Sequence, residues 1–305
     1  MSGEVLDGKK ISHDIQEELR PRIEMLREKR RTPALAVVLV GEDPASQIYV
    51  RNKIKTSQSL GITSIDLTPP EASSTEDILA VIQQLNDNPA VDGILVQSPL
   101  PKQIDESRIL LSIDPRKDAD GFHPFNVGSL VANRPAPRAC TPAGIIEMLR
   151  RYNKPMSGQH AVVVGRSDIV GKPMALMLLH ENATVTICHS RTRDLASECR
   201  RADILVAATG KAGLIKADHI KPGAVVIDVG MNRVTDEKLA KKLIGHDPAR
   251  WAAFEKNRRT LVGDVEPLAM EQISSAYTPV PGGVGPLTIA MLMSNTVRLA
   301  EEHLI

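Results

Sequence analysis

The chain has 305 residues, a formal net charge of +1, 42% hydrophobic and 25% charged residues, a globular composition long enough for two ordinary domains. Aromatic residues are only 2% and no Lys/Arg block stands out, which excludes a polynucleotide-binding surface, and no apolar run could span a bilayer. Cys140, Cys188 and Cys199 include no C-x-x-C pair and have no histidines at zinc-ligand spacing, so no metal is expected. Cys188 closes the apolar run TVTIC and reads as a buried small hydrophobe. The opening MSGEVLDGKK lacks the apolar core of a secretory leader, so a cytoplasmic location is expected.

Ile11, Ile15 and Leu19 lie four apart in residues 9–30 and predict a surface helix, kinked at Pro21. PALAVVLVG (33–41) predicts a buried strand, 44–62 a helix, SIDL (64–67) a strand, STEDILAVIQQLND (74–87) a capped helix and VDGILVQ (91–97) another buried strand. This alternation predicts a parallel sheet with crossover helices. Residues 114–142, rich in Pro, Gly and short polar residues, read as a linker carrying functional groups. A second α/β run starts at TPAGIIEMLRRY (141–152), with Pro just inside a Thr cap, and AVVVG (161–165), TVTIC (184–188), ADILVAATG (202–210) and GAVVIDVG (223–230) supply four strands. A Gly/Pro loop then feeds a largely apolar final helix.

HAVVVGRSDIVGKPMALMLL (160–179) reads as a strand, a glycine turn and a helix starting near Gly171. Backbone N–H groups and the helix dipole favour an anion in such a place, although a plain strand-to-helix turn has the same outline. The spacing of Gly165 and Gly171 is neither G-x-G-x-x-G nor a Walker loop, and Pro173 stands where Ser or Thr would hold magnesium, which disfavours a nucleoside triphosphatase. The next strand ends in HSRTRD (189–194) without the acid that would bind the ribose of NAD. Ser190, Arg191 and Arg166 offer donors and charge for a 2′-phosphate, so NADP is expected; the alternative is that these arginines are merely solvated.

Tyr49 and Lys53 have the spacing of the proton-transfer pair of short-chain dehydrogenases, but there the glycine loop comes first, and here it follows far downstream. Residues i and i+4 still share one helix face, so the two side chains can point into one site.

GEDPASQIYVRNK (41–53), VDGILVQSPLP (91–101), DPRKDADGFHPFNVG (114–128), CTPAG (140–144), VVVGRSDIVGKP (162–173), VIDVGMN (226–232), VGDVEP (262–267) and TPVPGGVGPLTIAML (278–292) together resemble the bifunctional methylenetetrahydrofolate dehydrogenase/methenyltetrahydrofolate cyclohydrolase family over nearly the whole chain. The resemblance implies two α/β domains flanking a cleft: a folate-binding domain of residues 1–142 plus 279–305, to which the final helix returns, and a Rossmann-like NADP-binding domain of residues 143–278. It also implies tetrahydrofolate derivatives as substrates, NADP as cofactor and a homodimer. Lys53 matches the family's central catalytic residue, assisted by Gln97 and Tyr49, and Asp120 matches the aspartate that binds the pterin. Two carboxylate oxygens suit the adjacent donors of an aminopyrimidinone, although an Asp before Gly is often only a turn residue. Val96, Ser98 and the loop Pro281, Gly282, Gly283, Val284, Gly285 would border the substrate. Thr141, Gly165, Arg166, Ser167, Ser190, Arg191 and Met231 match cofactor-contacting positions. Two departures stand out: Ser98 replaces the family's usual Leu, and residues 233–261 are longer than usual and read as an extra surface helix. A monofunctional member, or a silent NADP- or folate-binding protein, would share much of this pattern.

Overall fold

The computed structural model describes residues 3–304. Strand β1 (Glu4–Val5) and helix α1 (Gly8–Glu28) come first; α1 buries Ile11, Ile15 and Leu19 and continues through Pro21. Then follow β2 (Ala34–Val38), α2 (Pro44–Leu60), β3 (Thr63–Leu67), α3 (Thr75–Asp87), β4 (Gly93–Val96), α4 (Glu106–Ser112), α5 (Pro124–Val131) and α6 (Cys140–Arg151). The later part holds β5 (His160–Val164), α7 (Gly171–His180), β6 (Thr184–Cys188), α8 (Leu195–Cys199), β7 (Ile204–Ala207), β8 (Val225–Asp228), β9 (Asn232–Val234), α9 (Glu237–Ile244), α10 (Pro248–Asn257), β10 (Thr260–Val262), α11 (Pro267–Ile273), β11 (Ala276–Tyr277) and α12 (Val284–Glu302).

The chain forms two compact units. One comprises Ser12–Cys140 with the segment from Ile289 onward, the other the segment up to Ile11 with Thr141–Thr288. This division differs from the sequence expectation in two places. The N-terminal segment joins the second unit because β1 pairs in parallel with β11. Residues 279–288 also belong there: Gly8 N donates to Gly282 O at 3.1 Å, and the Thr141 and Thr288 hydroxyls lie 2.8 Å apart. The expected limits at residues 1 and 305 lie outside the described residues.

In the first unit the described strands form a parallel sheet of order β3-β2-β4, with β2 fully buried at its centre. Ile78 and Ile82 of α3 pack on it with Ala36, Val38 and Ile94; full burial of such a side chain stabilises by roughly 1.5–3 kcal/mol. Helix α2 begins at Pro44 because the Asp43 carboxylate accepts from Ser46 N, a cap that contributes about 1 kcal/mol, and it ends at Gly61 in the left-handed region. The stretch 114–142 is more than the expected linker. Ile94 N donates to Lys117 O at 2.6 Å and Ala119 N to Ile94 O at 3.3 Å, so residues 117–119 extend the sheet beyond β4. The buried Lys117 ammonium donates to Leu85 O, Asn86 O and Asn88 O, closing the carboxyl end of α3.

In the second unit the strand order is β1-β11-β8-β7-β5-β6, with every pairing parallel. Chain order across β6, β5, β7, β8 and β11 is 2-1-3-4-5, a doubly wound sheet whose direction of winding reverses between β5 and β7. Ligands bind such sheets at the carboxyl ends of the strands flanking that reversal. Helix α6 starts at Cys140, one residue ahead of the expected Thr cap. The long segment 233–261 forms two helices, not one. α9 and α10 lie between the antiparallel strands β9 and β10 and enclose their own core of Val234, Leu243, Ile244, Phe254 and Val262.

Candidate active site

Each unit carries its own group of the residues singled out from the sequence. In the first unit, Tyr49 and Lys53 lie one turn apart on α2, and Val96 and Gln97 at the carboxyl end of β4. Lys53 Nζ donates to Gln97 Oε1 at 3.0 Å, while Gln97 Nε2 donates to Ser98 O at 2.6 Å. The two bonds fix which way the amide faces, so its oxygen is committed to the amine. Ser98 therefore acts through its carbonyl, and its hydroxyl donates to the Glu106 carboxylate at the start of α4, a polar anchor where the family's Leu would be apolar. Tyr49 keeps 42% of its surface exposed, and burial of the remainder raises its phenol above the usual value, so it is protonated at neutral pH.

The turn role expected of an Asp before Gly falls on Asp118, two positions earlier. Its buried carboxylate accepts from Gly121 N at 3.0 Å, His123 N at 2.8 Å and Asn126 Nδ2 at 2.8 Å. Asp120 is left without a side-chain hydrogen bond among the described residues. It retains some exposed surface, yet desolvation pushes its carboxyl up to about 6, with Lys53 opposing the rise and Asp118 adding to it. A carboxyl near neutrality, an oriented amine and a phenol can together bind a polar ring and move protons.

In the second unit a pocket of about 300 Å³ opens at the carboxyl ends of β5, β6 and β7, where the sheet reverses its winding. Gly165, Arg166, Ser167 and Ser190 line it. Arg191 does not: its backbone N donates to His189 Nδ1 at 3.1 Å, and His189 lines the pocket instead. Gly165 has φ +133°, and a Cβ there would sit 2.2 Å from Ala208 O; a Cβ on Gly171 would sit 2.3 Å from Gly165 O. Both glycines are required for the turn to approach β7 and α7 this closely. Gly165→Ala is expected to cost more than about 1 kcal/mol and to lower the melting temperature. An unchanged melting temperature in calorimetry would contradict this account of the turn. Thr141 and Met231 lie apart from the pocket lining, Thr141 against Thr288, and Met231 where a Cβ on Gly285 would meet its Sδ at 3.3 Å. Of the loop 281–285, Gly282 has φ +110° and Gly283 N donates to Pro279 O at 2.8 Å, so the loop is folded on its own backbone.

Several residues of this unit were not singled out from the sequence. Thr209 and Lys211 line the pocket from the loop after β7, and the fully buried Asp264 and Asp228 stand behind it. Asp228 accepts from Gly230 N at 2.9 Å, Asp264 N at 2.8 Å and Val265 N at 2.9 Å. Desolvation pushes its carboxyl up to about 7 against the pull of these donors, and the neighbouring Asp264 adds to the rise. Hydrophobic residues flanking Asp in VIDVG and VGDV were the available hint of buried carboxylates. Among the described residues no group of His, Cys, Asp and Glu could hold a metal.

The family profile described as the catalytic domain of tetrahydrofolate dehydrogenase/cyclohydrolase matches residues 6–120, and that of its NAD(P)-binding domain residues 139–304. Bifunctional protein FolD of Solibacter usitatus is 61% identical over 299 residues, 98% of each chain. The solved bifunctional FolD of Campylobacter jejuni is 42% identical, with a TM-score of 0.89 and 98% of both chains covered. The Trypanosoma brucei enzyme, solved with NADP and an inhibitor, is 37% identical with a TM-score of 0.89, covering 100% of this chain and 99% of its own. The fold and the two family profiles define an NAD(P)-binding enzyme of two α/β units. The chain belongs to the tetrahydrofolate dehydrogenase/cyclohydrolase family and is a bifunctional oxidoreductase and hydrolase of one-carbon metabolism.

Proposed function

We propose that this enzyme oxidises 5,10-methylenetetrahydrofolate with NADP to 5,10-methenyltetrahydrofolate and hydrolyses that cation to 10-formyltetrahydrofolate, with Lys53, Tyr49, Gln97 and Asp120 serving the folate. The observation that carries the assignment is the Lys53–Gln97 bond of 3.0 Å on the unit that also holds the raised Asp120 carboxyl. Asp120, with no side-chain hydrogen bond among the described residues, accepts the paired donors of the pterin. Tyr49 offers an aromatic face to the folate, and Val96 and Ser98 border it at the end of β4. Lys53, held by Gln97, moves the proton when water adds to the methenyl carbon. The glycines of the loop 281–285, and Val284 within it, contribute backbone that a flat ligand can approach.

The pocket of the second unit fits NADP by its own chemistry: a glycine turn too close for any Cβ, two cations, Arg166 and Lys211, and no acidic lining residue. When bound, the nicotinamide supplies the hydride acceptor. Gly165, Arg166, Ser167 and Ser190 hold the phosphates and ribose, with Arg191 beside them at the end of β6 and with Thr141 and Met231 as further cofactor contacts. The reading also includes a homodimer and a cytoplasmic location. Three free, buried cysteines suit a reducing compartment, and no helix of the described chain is long and apolar enough to cross a membrane. Purified enzyme given methylenetetrahydrofolate and NADP or NAD is expected to form methenyltetrahydrofolate faster with NADP and then consume it. No absorbance change with either dinucleotide would overturn the assignment, and sedimentation at micromolar concentration checks the dimer.

A further inference from the structure

The loop after β7 lines the nucleotide pocket beside the glycine turn, and the backbone N–H groups of Thr209, Gly210 and Lys211 are engaged inward. Asp264 Oδ2 accepts from Thr209 N and from Gly210 N at 3.0 Å, while Oδ1 accepts from Lys211 N and Asn232 Nδ2, both at 2.9 Å. Four donors occupy the acceptor capacity of one carboxylate. Asp228 in turn accepts from the backbone N of Asp264 and of Val265, and Gly263 has no side chain because a Cβ there would lie 1.8 Å from Asp228 Oδ2. Three successive N–H groups that could have formed an anion nest are thus turned away from the pocket. The charge this wall offers a ligand, beside Thr209, is that of Lys211, which lines the pocket, is exposed, and has no carboxylate partner among the described residues.

We propose that Lys211 is a phosphate-binding residue of the dinucleotide pocket and that Asp264 is the positioning residue that holds it there. The proposal rests on the reading of this pocket as the NADP site. It assigns the pocket a second cation, from the opposite side of the winding reversal to Arg166, and makes a buried carboxylate with no ligand contact a determinant of cofactor affinity. A carboxylate so placed would repel the phosphates if it faced them; its four donors keep it turned inward.

Calorimetric titration of the whole enzyme with NADP and with NAD tests this. Lys211→Gln is expected to raise the Kd for NADP about tenfold, the loss of one charge-assisted contact. An equal rise for NAD places the contact on the pyrophosphate, and a rise confined to NADP places it on the 2′-phosphate. Asp264→Asn leaves one oxygen where two are needed and is expected to weaken NADP binding through the loop. The Lys211→Gln penalty should therefore shrink in the double variant, a coupling that a purely structural role of Asp264 would not produce. If Asp264→Asn does not fold, Asn232→Ala, which removes one donor orienting the carboxylate, replaces it in the cycle. A Kd for NADP within about twofold of wild type in Lys211→Gln overturns the role of Lys211, and strictly additive effects overturn that of Asp264. If the wild-type enzyme binds no NADP, it is the functional reading that fails.

Discussion

Lys53→Met removes the hydrolysis of methenyltetrahydrofolate while leaving a folded protein. Met matches the length and apolar stem of Lys, and the position is only half-buried, so the substitution deletes an amine and little packing. The bond lost is the 3.0 Å contact with Gln97 Oε1, and the Gln97 amide stays tethered through its donation to Ser98 O. Positioned acid–base groups are worth about 10²–10⁴-fold, so hydrolysis should fall by at least the lower figure. Decay of methenyl absorbance above the uncatalysed rate, at a wild-type value, would remove Lys53 from the reaction. A Gln97→Ala variant, which frees the amine without deleting it, is expected to fall between the two.

Asp120→Asn has the second large effect, in opposite directions for binding and for stability. The carboxyl, pushed up to about 6, is ionised at pH 7.5 and protonated below 6. Folate affinity of the wild type should therefore decline as pH falls through 6, and the Asn variant should be weak and flat across that range. Folding runs the other way. A carboxyl whose folded value exceeds its unfolded value of about 3.9 contributes its stability below about 4 and loses it as pH rises through about 6. At pH 7.5 the variant carries no desolvated charge, so it should melt at or above the wild-type temperature while the KM for folate rises. A variant that binds folate normally at pH 7.5 would show that the carboxylate is not the pterin acceptor.

Periodicity located the regular elements well, because buried parallel strands such as Ala34–Val38 and Ile204–Ala207 are continuous apolar runs bounded by turn residues. It missed the two-residue strands β1 and β11, whose pairing depends on a partner far away in the chain rather than on any local pattern. The segment 114–142 looked like a linker because its order comes from one short backbone pairing with β4, the short helix α5, and side chains of Asp118, Lys117 and Asn126 closing on backbone groups, none of which composition reveals. Lys53, Gln97 and Asp120 were singled out only because their blocks are distinctive together; taken singly, an Asp before Gly pointed to a turn, and the turn carboxylate proved to be Asp118. Asp264 was passed over for a related reason: the apolar flanks in VGDV hint at burial, but the backbone donors that surround the acid have no mark in the sequence.

The hairpin lobe between Asn232 and Val262 has its own core around Phe254, and its two roots are joined by the strand pairing of β9 with β10 and by the Asn232–Asp264 bond. The lobe is nevertheless tied to the unit that carries it: Ala212, in the loop after β7, packs against its core, a Cβ on Gly213 would meet Leu243 Cδ2 at 2.7 Å, and Lys242 pairs with Glu266 at 2.9 Å. A change within α9 would therefore reach the loop that borders the nucleotide. The place where length can vary is narrower, the turn between α9 and α10 with His246 exposed in it, and an affinity tag or a fluorescent reporter inserted there would leave the contacts of α9 in place.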